Sequence, residues 1–159
     1  MSVWWSLHLR REAASVPLAR RLLLGAMEIA GVDPEISFDL SVALSEACAN
    51  AVEHGGYDEP GGAPAPVAKG FRVTVYLDGE RCRIEVTDSG PGFPVRRECR
   101  AAALQLRRQP SASAENGRGL CLIQELADHV DFRNRPGRGA MVCFDKVLRW
   151  REDALLGAG

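Results

Sequence analysis

Lysine is nearly absent from this chain of 159 residues: all but two of its basic residues are arginine, the exceptions being Lys69 and Lys146. Neither follows a glycine, so there is no Gly-Lys-[Ser/Thr] phosphate loop. His-Arg-Asp and Asp-Phe-Gly are also missing, Asp131-Phe132-Arg133 being no substitute, which excludes the eukaryotic-type kinase fold. No apolar run is long enough to cross a bilayer or to serve as a signal peptide, so a cytoplasmic chain is expected. The formal net charge of −1 exerts no global pull toward nucleic acid or an anionic membrane. Cys48, Cys82, Cys99, Cys121 and Cys143 are odd in number and widely spaced, without C-x-x-C. That argues against a disulfide framework or a zinc site. Cys48 and Cys121 fall in apolar helical patterns and read as small core hydrophobes. His8, His54 and His129 lack metal-ligand spacing.

What is present is ordinary for a globular chain, with 46% hydrophobic and 26% charged residues. One domain over residues 1–150 with a short tail, 151–159, is expected. Trp4, Trp5, Leu7 and Leu9 alternate roughly as a first strand over 3–10. Ser15 is placed to cap a helix starting near Pro17, with Leu18, Leu22, Ala26 and Ile29 as its apolar stripe and Gly31 as its end. Arg20 and Arg21 point away from that stripe. Asp33-Pro34 opens a second helix, carried to His54 by Ile36, Leu40, Ala43, Leu44, Ala47, Ala51 and Val52. Residues 55–70 are rich in Gly, Pro and Ala and read as a loop. Strands at 71–77 and 81–87 are joined by Asp78-Gly79, a strong hairpin signal. A third helix is expected over 120–127, then strands at 130–134 and 140–148 around Pro136-Gly-Arg-Gly139. This order suits a mixed, mostly antiparallel sheet with helices on one face, a two-layer α/β sandwich.

Three short motifs punctuate these elements. Glu46, Asn50 and His54, four residues apart, form a polar stripe on the second helix. Alone, the stripe also fits a solvated outer face, yet it is set among Ala and Cys without the usual Lys/Glu pairs. An amide oxygen suits Mg²⁺, and a carboxylate one turn away can orient or deprotonate a hydroxyl. Asp88-Ser-Gly-Pro-Gly92 follows a strand. Its carboxylate can accept from an exocyclic amine, and Gly90 and Gly92 let backbone approach a flat ring; a plain β-turn accounts for the same residues. Gly117-Arg118-Gly119-Leu120 precedes a helix, where free N–H groups and the dipole favour an anion, or where Asn116 simply caps. Between the last two motifs lie Arg96, Arg97, Arg100, Arg107 and Arg108: a solvated face, a lid over phosphates, or a docking face for an acidic partner.

Together these motifs resemble the GHKL ATPase superfamily, with its Bergerat fold, over roughly residues 10–148. Glu46…Asn50…His54 resembles its N box, Asp88-x-Gly90-x-Gly92 its G1 box, and Gly117-x-Gly119-Leu120 its G2 box. Small size, Glu-x-x-x-Asn-Ala-x-x-His and Gly-Arg-Gly-Leu-x-Leu-Ile are similar to the anti-sigma-factor serine kinases of partner-switching systems. The resemblance implies ATP and Mg²⁺ as ligands, Asn50 on the metal and Glu46 as general base. It further implies Asp88 on the adenine amine, Gly90 and Gly92 shaping the adenine pocket, and Gly117, Arg118, Gly119 and Leu120 at the phosphates. Residues 93–116 would be the ATP lid; His54 matches the pattern without an assigned role. The resemblance implies a cytoplasmic serine/threonine kinase: a homodimer that phosphorylates a small STAS-type anti-sigma-factor antagonist and sequesters a sigma factor or another regulator, without contacting nucleic acid or membrane. The rival readings are a nucleotide-dependent binding module without chemistry and a stand-alone ATPase.

Overall fold

The computed structural model describes residues 2–54, 70–88, 114–135 and 139–152. They form β1 (Val3–Leu9), α1 (Ser15–Ala30), α2 (Pro34–His54), β2 (Phe71–Leu77), β3 (Arg81–Asp88), α3 (Ala114–Leu126), β4 (His129–Arg135) and β5 (Gly139–Val147). The sheet runs β1-β2-β3-β5-β4. Every neighbouring pair is antiparallel. The two-layer sandwich expected from the element order is the architecture found. The loop expected at 55–70 (apart from Gly70), the turn at Pro136, Gly90, Gly92 and the segment 93–113 lie outside the described residues.

Strand alternation creates the layers. In β3, Cys82, Ile84, Val86 and Asp88 turn inward, while Arg81 and Arg83 face solvent. Leu23 and Met27 of α1, Leu40 and Leu44 of α2, and Val73, Val75, Val142 and Phe144 of the sheet complete the core. Each such side chain contributes about 1.5–3 kcal/mol on burial. The other face of the sheet is held by side-chain ladders. Trp4 stacks on Tyr76 with ring centroids 6.4 Å apart, and the Ser6 and Thr74 hydroxyls lie 3.0 Å apart.

The first helix departs from its expected form. Ser15 is its first residue and no cap; the hydroxyl donates to the Arg10 carbonyl at 2.6 Å. The buried face is Ser15, Ala19, Leu23, Met27 and Ala30. Leu18 and Leu22 are more than two-fifths exposed and Ile29 is 81% exposed, so the stripe expected to pack faces outward. Apolar residues occupy most of this helix's circumference, and the small Ala19 and Ser15 allow the closest approach to the layer beneath. Gly31 ends the helix as expected, at φ 88°, its N–H donating to the Met27 and Glu28 carbonyls. Asp33 then starts α2, its Oδ1 accepting from the Glu35 N–H at 2.8 Å.

The chain after β5 straps one end of the fold. The Leu148 N–H donates to the Glu80 carbonyl, and the Trp150 ring N–H to the Gly79 carbonyl at 2.9 Å. The Asp33 N–H donates to Arg149 and the Arg151 N–H to Gly31, each at 2.8 Å. The β2–β3 hairpin and the α1–α2 turn are thereby fixed together, which leaves the opposite end to the C-terminus of α2 and the end of β3.

Candidate functional site

Glu46 and Asn50 lie in the second half of α2, at the margin of its buried arc. Glu46 is half-buried. Asn50 is only 4% exposed, and its side-chain Nδ2 has no hydrogen-bond partner among the described residues. A buried, unpartnered amide costs about 1–3 kcal/mol, so such a group in a folded chain calls for an explanation. At Asn50 the polar stripe is therefore no solvated face. The side chain of His54, the last residue of α2, lies outside what is described.

Asp88 ends β3 on its inward side, 6% exposed, and its Oδ1 accepts the Ala140 N–H at 3.3 Å. A carboxylate accepts up to about four hydrogen bonds, so this one is compatible with another from an exocyclic amine. Register places Asp88 opposite Phe71 of β2, and Phe71 opposite Leu9 of β1. Two residues beyond Leu9, Arg11 reaches the last turn of α2: its Nε donates to the Val52 carbonyl at 2.7 Å and its Nη2 to the Glu53 carbonyl at 3.2 Å. The C-terminal end of α2 therefore sits over the sheet end that carries Asp88.

The third helix arrives at the same place. Lys146 on β5 donates to the Leu126 carbonyl at the end of α3 (2.6 Å) and pairs with Asp39 of α2 at 3.5 Å. Because α2 and α3 pack along each other, α3 must run antiparallel to α2 from that clip. Its 13 residues span about 20 Å and the rise from Asp39 to Asn50 is about 16 Å, so α3 begins near the level of Asn50. Leu120 and Ile123 anchor it in the core.

Here the structure differs from the expected glycine loop. The helix begins at Ala114 and not at Leu120, so Gly117 and Gly119 lie within its first turns. Of the residues expected to present backbone N–H groups, only Gly117 is among the first four of the helix; the Gly119 and Leu120 amides lie deeper. Ala114 and Glu115 favour helix, whereas each glycine costs about 1 kcal/mol relative to alanine, so this end unwinds at little cost. The side chain of Arg118 lies outside what is described.

The buried thiols of Cys48 and Cys82 take no part. Burial pushes Cys48 and Cys82 up to about 12, leaving both neutral, and Cys121 is half-buried, less enclosed than its apolar pattern implied. No His/Cys/Asp/Glu cluster suited to a metal occurs among the described residues. Any divalent cation here would depend on phosphate oxygens and water with few protein ligands, as Mg²⁺ characteristically does. Asn50 fits that role: its amide offers an oxygen to a hard cation and a buried N–H₂ to a phosphate oxygen. Sequence reasoning missed Arg11 and Lys146, which bind backbone carbonyls of distant elements and leave no local pattern.

The model of the histidine kinase-like ATPase domain matches residues 9–146. The serine-protein kinase RsbW of Bacillus pumilus is 34% identical over 77% of this chain and 73% of its own length. The anti-sigma F factor of Pasteuria penetrans is 28% identical, over 76% of each chain. Among solved structures, the RsbU and RsbW domains of a Mycobacterium tuberculosis protein superpose with a TM-score of 0.65 at 21% identity, over 92% of this chain and 33% of that longer one. No described helix is long and apolar enough to cross a membrane. With its sheet order, its converging α2, β3 and α3, and these relatives, the chain belongs to the histidine kinase-like ATPase family and groups with its serine-protein kinases and anti-sigma factors.

Proposed function

We propose that the protein is a partner-switching serine/threonine kinase that binds ATP with Mg²⁺ in one domain over residues 1–150. It transfers the γ-phosphoryl group to a hydroxyl of a small STAS-type antagonist. It sequesters a sigma factor or comparable regulator, as a homodimer. The observation that carries this reading is the buried amide of Asn50, its Nδ2 unpartnered among the described residues, at the end of the fold where α2, β3 and α3 come together.

In this reading Asp88 selects the base by accepting its exocyclic amine. The inward position of that carboxylate at the end of β3 supports this role, and Gly90 and Gly92 shape the adenine pocket. Asn50 holds the metal-bound phosphates through its amide, and Gly117 to Leu120 meet them with backbone N–H groups. Mg²⁺, when bound, neutralises charge on the phosphates. Glu46, one turn before Asn50, aligns the attacking hydroxyl and takes its proton as the oxygen–phosphorus bond forms and ADP departs. Because positioning and electrostatics carry most of such a transfer, rigidity at α2 matters more than any single contact.

Incubation with γ-labelled ATP and the purified proteins encoded beside its gene tests this directly. Label on a partner serine or threonine is expected, dependent on Mg²⁺. ATP binding without transfer would leave a nucleotide-gated binding module, and release of phosphate without a partner would leave an ATPase.

A further inference from the structure

Arg11 spends its guanidinium on another element's backbone, close to the candidate site. A helix leaves its last four carbonyls without intrahelical partners, and the C-terminus carries partial negative charge. In α2 two of those carbonyls, Val52 and Glu53, accept from Arg11 at 2.7 and 3.2 Å. They belong to the turn that follows Asn50.

The other end of this tie is firmly built. Arg11 leaves β1 directly after Arg10, whose carbonyl accepts the Ser15 hydroxyl and the Glu12 N–H. Ser15 is buried in the core, so the corner from β1 into α1 is braced from both sides. On the β2 side a Cβ at Gly70 would stand 2.0 Å from the Leu9 carbonyl oxygen, so only glycine fits that approach. Leu9, Phe71 and Asp88 occupy one register row. The guanidinium therefore links the Asn50 turn to the row that ends in Asp88.

We infer that Arg11 is a positioning residue for the nucleotide site, fixing the Asn50 turn of α2 against the sheet row of Asp88. It touches neither nucleotide nor metal. The inference rests on the proposed roles of Asn50 at the metal-bound phosphates and Asp88 at the base. On that assignment Arg11 acts on only one of the two subsites. Asp88 is held by its own strand and by Ala140, whereas Asn50 depends on where α2 ends.

The test is calorimetric, on the whole chain, with ATP in the presence of Mg²⁺ and with ADP in EDTA, for wild type, Arg11→Ala, Arg11→Lys, Asn50→Ala and the Arg11→Ala/Asn50→Ala double variant. Arg11→Ala is expected to weaken Mg²⁺-ATP about tenfold, the loss expected when roughly one hydrogen bond to the phosphates is no longer aligned. ADP without metal should bind within about twofold of wild type, because base recognition is untouched. The double variant should be no weaker for Mg²⁺-ATP than Asn50→Ala alone, the non-additivity expected of two residues acting through one contact. Arg11→Lys, which keeps the charge but not the two-pronged donor, should lose about threefold. Equal losses for both ligands would make Arg11 a general structural brace and overturn the inference, as would additivity in the double variant. If Arg11→Ala does not fold, Arg11→Lys carries the test alone, and unchanged Mg²⁺-ATP affinity in it overturns the inference. Wild-type protein that binds no nucleotide would instead defeat the proposed function, whatever Arg11 does.

Discussion

Replacing Asp88 by asparagine tests base recognition with little disturbance to the fold. The carboxylate is buried, and its Oδ1 accepts the Ala140 N–H at 3.3 Å. Asparagine keeps the volume and an acceptor oxygen for Ala140, so the unfolding free energy from urea denaturation should change by less than about 1 kcal/mol. The second oxygen becomes N–H₂, and an adenine amine then faces a donor. Losing that hydrogen bond and leaving polar groups mismatched costs about 1–3 kcal/mol. At about 1.4 kcal/mol per decade, ATP affinity should fall about five- to 150-fold. Inosine triphosphate, which presents an oxygen where adenine presents its amine, should lose less or gain, so the preference for ATP narrows. Asp88→Ala should weaken ATP similarly but also destabilise the fold, because the Ala140 N–H is left buried without its acceptor. Titration calorimetry with both nucleotides, beside urea denaturation, reads all of this. A folded Asp88→Asn protein that binds ATP as wild type and keeps its preference over inosine triphosphate would refute the placement of the base at Asp88.

Glu46→Gln should bind ATP nearly as wild type yet transfer phosphate about 10²–10⁴ times more slowly, whereas Asn50→Ala should weaken both binding and transfer; single-turnover transfer at the wild-type rate in Glu46→Gln removes the base from the mechanism. Burial pushes the Cys48 and Cys82 thiols up to about 12 from an ordinary 9.0, so the folded state keeps protons that the unfolded state releases. Stability from this source is complete below pH 9 and falls as pH rises toward 12, by about 1.4 kcal/mol per thiol at pH 10; Cys48→Ala should flatten the urea midpoint's decline between pH 8 and 10, and an identical slope would contradict the cause given. Arg20 and Arg21 are exposed on α1 beside the outward Leu18, Leu22 and Ile29. Reversing both to Glu should slow association with the partner at low salt while leaving ATP affinity intact, and unchanged surface-plasmon association rates would take α1 out of the docking surface.

What the sequence made legible depended on how many signals agreed at each element. At α2 the Asp33-Pro34 start, a broad apolar arc and the Glu46/Asn50 stripe coincided, and the helix runs from Pro34 to His54 as expected. At the β2–β3 hairpin, Asp78 accepts from the Glu80 and Arg81 N–H groups, the local chemistry that made Asp78-Gly79 readable. On α1 the signals conflicted. Leu18, Leu22 and Ile29 make one apolar stripe and Ala19, Leu23 and Met27 another, and periodicity cannot rank them, because burial is decided by which face allows close approach. Hydrophobicity favours the larger side chains; geometry chose the stripe that includes Ala19. The candidate site was legible in its parts and not in its assembly. Asp88, Asn50 and the glycines of α3 stand out by residue type and spacing as candidates, but the contacts that bring them to one end are donations to main-chain carbonyls: Arg11 to Val52 and Glu53, Lys146 to Leu126. Every residue offers a carbonyl, so such contacts put no constraint on the identity of the acceptor and leave no paired pattern to read. The same reason hid the strap from Leu148 to Arg151. It follows that substitutions at Arg11 and Lys146 should be judged from the geometry of the carbonyls they hold and not from their neighbours in sequence.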